Sequence, residues 1–250
     1  MRPTGRRCCL LLAPVFLNLF TLAAQTVSKP PFSRANRLSK PSAPDACYRR
    51  LSSNDGLTVF AVTIASHQST LLASHPNDYL LIALEKTAIE VAGVSGNSYF
   101  VQLDAEQMQV MKGGWSHRFT NVGDTTAELL QVEARSEIRP EHALCGLAAR
   151  PCDDGLFGKT QEGTYSTSTL FDTPKVKLSK IELGPGGIFQ THMHTGPQVL
   201  IPLTSIHLTD SSQTDIVRNV GEAEVYAART KHQLRNVGPQ TARFLEFEVK

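Results

Sequence analysis

Short apolar runs recur along the chain, and most of them alternate with polar residues at a period of two. The segments LTVFAVTI, YLLIALEKTAIEVAG, VKLSKIEL and VLIPLTSIHL begin at Leu57, Tyr79, Val176 and Val199. This alternation is typical of β-strands, and the glycine, asparagine, aspartate and proline residues between the runs are typical of turns. No long helical period occurs between Ser53 and Arg135. The pattern predicts an all-β sandwich or barrel.

An internal repeat divides this pattern into two copies. The segment HRFTNVGDTTAELLQVE begins at His117, and HQLRNVGPQTARFLEFE begins at His232, an offset of 115 residues. Upstream, SHPNDYLLIAL aligns with MHTGPQVLIPL at an offset of 119, which pairs His75 with His194. A longer hairpin in the first copy would absorb the difference of four residues. The repeat therefore predicts two tandem β domains.

The N-terminal residues have a different composition. Arg2, Arg6 and Arg7 precede the 17-residue run CCLLLAPVFLNLFTLAA. This layout predicts an export signal over residues 1–24, followed by a flexible, proline- and serine-rich leader over residues 25–46. The alternative is a membrane anchor, but the run is short for a bilayer of about 30 Å. We expect an exported protein, periplasmic or extracellular, without a stable membrane span, and Sec and twin-arginine export both remain open.

Within the mature chain we expect a first barrel over residues 47–135, a connector over 136–165 and a second barrel over 166–250. Cys145 and Cys152 lie in the connector and could form a disulfide in an oxidising compartment, closing a short loop worth about 2.5 kcal/mol. The net charge is +2, with acidic and basic residues interspersed. That distribution argues against a nucleic-acid partner.

The segment FQTHMHTGPQ, residues 189–198, contains the most specific chemistry. In a strand, His192 and His194 project to the same face, and Gln198 shares their parity if the strand resumes after the TGP bend. His232 begins the repeated segment on a later strand. Three imidazoles converging inside a barrel predict a site for a divalent transition metal: iron, manganese, copper, nickel or zinc.

The spacing of these residues resembles the cupin family. Gly186, His192, His194 and Gln198 follow the first cupin motif, and Gly221, His232 and Asn236 follow the second. The family usually has glutamate where Gln198 stands, and proline and glycine where Ala227 and Arg229 stand. The resemblance covers both repeats, so it implies a bicupin with two tandem double-stranded β-helix (jelly-roll) barrels. It also implies metal ligands at His192, His194 and His232, with Gln198 as a fourth ligand.

The first copy has lost part of this set. Ala73, His75, Tyr79 and His117 stand where the second copy has His192, His194, Gln198 and His232. We therefore expect a degenerate, structural first barrel. Two histidines and a tyrosine holding a metal is the alternative, and Trp115 beside His117 suggests the rim of a small-ligand pocket.

The resemblance implies a metal-dependent enzyme, dioxygenase- or decarboxylase-like, acting on a small organic acid or similar oxygen-rich molecule. Three neutral imidazoles and an amide would leave about two positive charges on the ion, which favours an anionic ligand. The alternative is a non-catalytic cupin that binds a small ligand or metal. No catalytic residue is assigned. Glu182, Glu246 and Glu248 flank barrel strands, and one of them could act as a base or orient a histidine. A homo-oligomer remains open.

Overall fold

The computed structural model describes residues 46–54, 56–134, 138–147, 152, 160–162 and 164–250. The predicted export signal and leader, apart from Ala46, lie outside the described residues. The first barrel contains β1 (Ala46–Ser53), β2 (Leu57–Ile64), β3 (Ala73–His75), β4 (Tyr79–Ala83), β5 (Thr87–Gly93), β6 (Ser98–Leu103), β7 (Met108–Met111), β8 (Trp115–Asn121) and β9 (Ala127–Ala134). A short 3-10 helix, Pro140–His142, and β10 (Thr160–Glu162) follow.

The second barrel repeats this series of strands. It contains β11 (Tyr165–Asp172), β12 (Val176–Leu183), β13 (Ile188–Met193), β14 (Gln198–Pro202), β15 (Ile206–Thr209), β16 (Asp215–Arg218), β17 (Glu224–Tyr226), β18 (Lys231–Asn236) and β19 (Ala242–Val249). Within the described residues the helical structure is limited to the single 3-10 turn, and no helix is long and apolar enough to span a membrane. The all-β prediction is confirmed.

The two barrels have the same topology. The first barrel pairs its strands in the orders β1-β2-β9-β4-β7 and β3-β8-β5-β6. The second barrel uses β11-β12-β19-β14-β17, with β10 added at one edge, and β13-β18-β15-β16. The named strands pair antiparallel throughout the described chain. This one-to-one correspondence confirms the two tandem jelly-roll barrels that the sequence repeat predicts.

The interior of each barrel is an apolar core between its two sheets. In the first barrel Leu81 of one sheet packs with Ile89 and Phe119 of the other. In the second barrel Leu200 and Leu234 occupy equivalent places. Burial of these side chains on the inward face of each strand is what the period-two pattern predicts, and full burial contributes about 1.5–3 kcal/mol for each large side chain.

A third apolar core lies between the barrels. The larger sheets present Leu80 and Ile82 of β4, and Val199 and Ile201 of β14, to a shared cluster in which all four side chains are almost fully buried. Leu245 and Phe247 of β19 belong to the same cluster. β4 and β14 are therefore buried on both faces, which explains why their sequences lack a polar face.

The connector is fastened to this shared core. Cys145 forms a disulfide with Cys152, and Ala143 and Ile138 are buried in the inter-barrel cluster. The region we expected to connect the barrels, residues 136–165, also includes β10 and the first residue of β11. The same region contains a three-residue 3-10 turn at Pro140–His142.

Candidate metal centre

Three histidines converge in the second barrel. His192 lies in β13, His194 directly follows that strand, and His232 lies in the neighbouring β18 as the Cα partner of His192. The ring centroid of His192 is 4.7 Å from that of His194 and 4.4 Å from that of His232. Strand alternation brings the first two to one face, and antiparallel pairing places the third alongside. The structure brings together all three histidines singled out from the sequence.

Polar contacts at Nδ1 orient two of these rings. The register of β13 and β18 shifts between Phe189 and His192, and the Gln190 carbonyl in that irregular stretch accepts a bond of 2.7 Å from Nδ1 of His192. Because a carbonyl can only accept, Nδ1 carries the proton in a neutral His192 ring, and its Nε2 lone pair is available for an ion. Nδ1 of His194 lies 3.1 Å from the Glu248 carboxylate, an ion-pair contact that favours the proton on the same nitrogen.

The Nε2 atoms meet a carboxylate from the opposite sheet. Nε2 of His232 lies 2.8 Å from Nε2 of His192, and the Glu246 carboxylate lies 4.0 Å from His192 and 3.7 Å from His194. All four donor atoms lie within 4.8 Å of one another. Two ligands that each lie about 2.1 Å from one ion are at most about 4.2 Å apart, so small side-chain movements would bring all four donor atoms onto a single metal ion.

The electrostatics of the group also favour a positive charge at its centre. Burial lowers the pKa of His192, but the nearby Glu246 carboxylate and the hydrogen bond to the Gln190 carbonyl together outweigh burial and raise it. Burial and the neighbouring His192 lower the pKa of His232 to about 4. His232 is therefore neutral at pH 7, which is the form of imidazole that coordinates metal.

Several buried polar atoms around the group have no partner within the protein. They are Nε2 of His194, Nδ1 of His232, the hydroxyl of Tyr226 and both amide atoms of Gln198. Gln198 is 2% exposed and is the Cα partner of Tyr226 on β17. Buried polar atoms normally have hydrogen-bond partners, and leaving one unsatisfied costs about 1–3 kcal/mol. Such a cluster of unsatisfied atoms fits a bound ion with a polar ligand.

Solved structures share this architecture. A cupin 2 conserved barrel domain protein from Leptotrichia buccalis matches with a TM-score of 0.56 over 86% of this chain and 94% of that chain, at 13% identity. The Lactobacillus farciminis oxalate decarboxylase, in a formate complex, matches with a TM-score of 0.56 over 82% of this chain and 83% of that chain, at 12% identity. This chain has the bicupin fold.

A third match is the Bacillus subtilis oxalate decarboxylase, a protein described with Mn(II) centres. Its TM-score is 0.53, with 11% identity, over 77% of this chain and 68% of that chain. No protein-family model matches the sequence, and no curated protein matches it. The resemblance to cupins that the motifs suggest is thus confirmed at the level of the fold.

The carboxylate of this candidate site comes from a different strand than the motif predicts. The first cupin motif normally supplies glutamate at position 198, on β14, and here that position is Gln198. Glu246 projects from the adjacent strand β19, where its Cα partner is Leu200, two residues beyond Gln198. The sequence analysis expected three imidazoles with Gln198 as a fourth ligand, and the structure also places the Glu246 carboxylate among the candidate donor atoms.

The other glutamates have separate roles. Glu248 orients His194, as described above. Glu182 lies 3.2 Å from Lys180 and takes no part in the histidine group. Glu246 and Glu248 therefore reach the site, and Glu182 does not. Along β19 these two glutamates alternate with Leu245 and Phe247, so they project from the other face of the strand.

In the first barrel the side chains at the equivalent positions are hydrogen-bonded to one another. The Tyr79 hydroxyl lies 2.6 Å from Nε2 of His117, and both side chains are buried. Ala73 is the Cα partner of His117 and stands where the second barrel has His192. The tyrosine hydroxyl is thus hydrogen-bonded to the ring nitrogen of His117 that corresponds to Nε2 of His232.

A second set of hydrogen bonds completes this arrangement. Nδ1 of His75 lies 2.9 Å from the Glu133 carboxylate, and the Gln131 amide donates to the same oxygen at 2.7 Å. Glu133 and Gln131 occupy the positions of Glu248 and Glu246 in the repeat. The histidine-orienting carboxylate is therefore retained in the first barrel, whereas the carboxylate among the metal donors is replaced by an amide.

Two asparagines stabilise equivalent turns in the two barrels. Asn121 donates to the carbonyls of Ile64 and Thr125, and Asn236 donates to the carbonyls of Leu183 and Gln240. Two further histidines lie outside the candidate site: exposed His67 lies in a loop, and exposed His207 lies on the outer face of β15.

One backbone position has the same left-handed conformation in both repeats, although only the first repeat has glycine there. Arg229 has φ of 61°, and its equivalent in the first copy, Gly114, has φ of 80°. The Arg229 amide donates to the His194 carbonyl at 3.0 Å, and the Gly114 amide donates to the His75 carbonyl at 2.7 Å. The left-handed residue thus anchors the strand end that carries one histidine in each barrel.

Proposed function

We propose that this bicupin binds one divalent transition metal in its second barrel through His192, His194, His232 and Glu246. The observation that supports this most strongly is the convergence of three ring nitrogens and one carboxylate, with two of the rings held at Nδ1 so that Nε2 faces the centre. Manganese, iron, copper, nickel and zinc all accept such a donor set.

Gln198 remains a candidate ligand through its amide oxygen. It faces the barrel interior on β14, and its amide atoms have no other partner. With Glu246 as a donor, the ion would retain about one positive charge instead of two. This charge still favours a substrate that binds through an anionic or electron-rich oxygen.

We further propose that the site is catalytic and acts on a small organic acid or similar oxygen-rich molecule, in dioxygenase- or decarboxylase-like chemistry. When bound, the ion would supply Lewis-acid polarisation of substrate oxygens and, if redox-active, electron transfer. Tyr226 would donate a hydrogen bond to the substrate, because burial raises its pKa and keeps the hydroxyl protonated. Gln198 would donate from its amide, and Phe189, whose ring centroid is 4.3 Å from that of His192, would exclude water.

A non-catalytic binding protein is the second candidate. Its supporting observation is that Glu246 and Glu248 are both engaged with the histidines. Among the described side chains that contact the group, the remaining polar ones, Gln198 and Tyr226, are neutral. No unengaged side-chain base is therefore evident there. Oxygen uptake or carbon dioxide release from candidate acids would support the enzyme, whereas tight binding without turnover would support the binder.

The export signal and the extracytoplasmic location belong to this proposal. The Cys145–Cys152 disulfide is consistent with an oxidising compartment. N-terminal sequencing of the protein from a secreting host tests the predicted cleavage near residue 24, and an intact N terminus in the cytosolic fraction would contradict it.

Metal analysis of the purified protein tests the metal site. We expect about one ion per chain in the wild type, and loss of that ion in His192→Ala and His232→Ala. The matched controls are His75→Ala and His117→Ala, the equivalent histidines of the first barrel, which we expect to retain the ion. Retention in the first pair and loss in the second would assign the metal to the other barrel.

A further inference from the structure

A cavity of about 350 Å³ lies in the first barrel, beside the side chains that replace the metal site. Its described lining residues come from three strands of one sheet, from β3 of the other and from the loop before β3: Ala46, Tyr48, Phe60, Leu71, Ala73, His75, Gln131 and Glu133. A volume of this size is at the small end of the range for ligand pockets.

The substitutions between the copies account for an open space at this point. The second barrel has an imidazole at His192 where the first barrel has the methyl group of Ala73. Leu71 at the mouth is 69% exposed and Tyr48 is 39% exposed. The rings of Tyr48 and Phe60 meet edge to face with centroids 6.4 Å apart. The wall of the cavity is thus apolar and aromatic, and its apolar rim is in contact with water.

The polar groups of the cavity include an ionised carboxylate. His75 and the Gln131 amide both hydrogen-bond to Oε1 of Glu133. The hydrogen bond with His75 lowers the pKa of Glu133 more than burial raises it, so the carboxylate is ionised at neutral pH. None of the described lining residues is lysine or arginine. Glu133 therefore contributes a negative charge to the cavity.

Gln131 provides a second acceptor. Its side-chain oxygen is buried without a hydrogen-bond partner in a residue that is 1% exposed. An unsatisfied buried acceptor costs about 1–3 kcal/mol, which a ligand that donates a hydrogen bond would recover. The group that matches an anionic oxygen, a neutral amide oxygen and two aromatic rings is an ammonium ion.

We propose that the first barrel is a metal-independent binding site for a small organic cation, namely a primary ammonium carried on an aromatic or branched alkyl body. The ammonium group pairs with Glu133 and the Gln131 oxygen, and the apolar body packs on Tyr48, Phe60 and Leu71. This site does not depend on the metal in the second barrel, so either one can fail without the other.

Isothermal titration of the mature protein with three probes of similar shape tests this proposal. The probes are 2-phenylethylammonium, the neutral 2-phenylethanol and the anionic phenylacetate. We expect the ammonium to bind at least tenfold more tightly than the alcohol, and the anion not to bind. Equal binding of all three, tighter binding of the anion, or no binding of the ammonium would overturn the proposal.

Two variants locate the site, and one matched control separates it from the second barrel. Glu133→Gln should reduce affinity for 2-phenylethylammonium at least tenfold. Ala73→Leu should fill the cavity and abolish binding of both the ammonium and the alcohol. Glu248→Gln, the same change in the other repeat, should leave the titration unchanged. The metal content of Ala73→Leu reports on its folding, and unaltered probe binding in that folded variant would place the binding site elsewhere.

Discussion

Replacing Glu248 by glutamine removes a charge from beside His194 but keeps an oxygen that can still accept from Nδ1. In the wild type this carboxylate lies 3.1 Å from Nδ1, and the two side chains are only 17% and 14% exposed. The carboxylate increases the electron density on the ring and thereby the basicity of Nε2. Its loss should weaken metal binding without removing any ligand.

The size of the effect follows from the geometry of the pair. Changes to residues that orient a metal ligand typically cost 10–100-fold in metal affinity. Because glutamine keeps an oxygen beside Nδ1 and removes only the charge, we expect about tenfold for Glu248→Gln, or about 1.4 kcal/mol. Glu248→Ala removes both the charge and the acceptor, leaving Nδ1 of His194 unsatisfied. We expect that variant to lose about 100-fold.

Competition between each protein and a chelator of known affinity measures these differences at pH 7. Glu133→Gln is the matched control, because Glu133 occupies the equivalent position in the first barrel and contacts Nδ1 of His75 there. It should leave the metal affinity within twofold of the wild type. If the control lost as much affinity as Glu248→Gln, the effect would be a general loss of stability. If Glu248→Ala bound metal as tightly as the wild type, the assigned orientation of His194 would be wrong.

Three further predictions concern stability. Arg229→Gly should stabilise the protein by about 0.5 kcal/mol, because a φ of 61° costs a non-glycine residue about 1 kcal/mol. Part of this gain is offset by the greater entropy of glycine in the unfolded chain. Gly114→Ala, the reverse change in the first barrel, should be destabilising, and thermal melting measures both effects. Reducing the Cys145–Cys152 disulfide with dithiothreitol should cost about 2.5 kcal/mol, lowering the melting temperature by about 5–10 °C, and an unchanged melting curve would contradict a structural role. The pKa of Glu133 is lowered in the folded state, so its ionised carboxylate stabilises the fold above its ordinary pKa of 4.5. This stabilisation is lost as pH falls through the folded-state pKa. In urea titrations, wild type and Glu133→Gln should therefore differ most in stability above about pH 5 and converge in acid.

The three histidines were predictable because strand geometry fixes their relation. Two residues separated by one must share a face of a strand, and the internal repeat places His232 at the start of a matched strand. The repeat also identified Ala73 as the position where the first barrel lacks a donor. These inferences needed only the period of a strand and the alignment of the chain with itself.

Glu246 could not be assigned in the same way. In the segment FLEFE, Leu245 and Phe247 alternate with Glu246 and Glu248, so parity separates the two faces of β19 clearly. Usually the apolar face would be the inward one. Here the apolar face packs against the other barrel, and the acidic face lines the interior. The apolar residues of β19 face outward because they pack against the first barrel. The alternation within one strand cannot show that such a second surface exists.

The shared cluster of Leu80, Ile82, Val199 and Ile201 has a consequence for how the molecule can be divided. Each barrel covers the apolar face of a sheet in the other barrel. A fragment ending near residue 135, or one starting near residue 166, would therefore expose that apolar face to water. Such fragments should self-associate or be degraded. Each barrel therefore needs the other to complete its hydrophobic core, independently of any ligand that either of them binds.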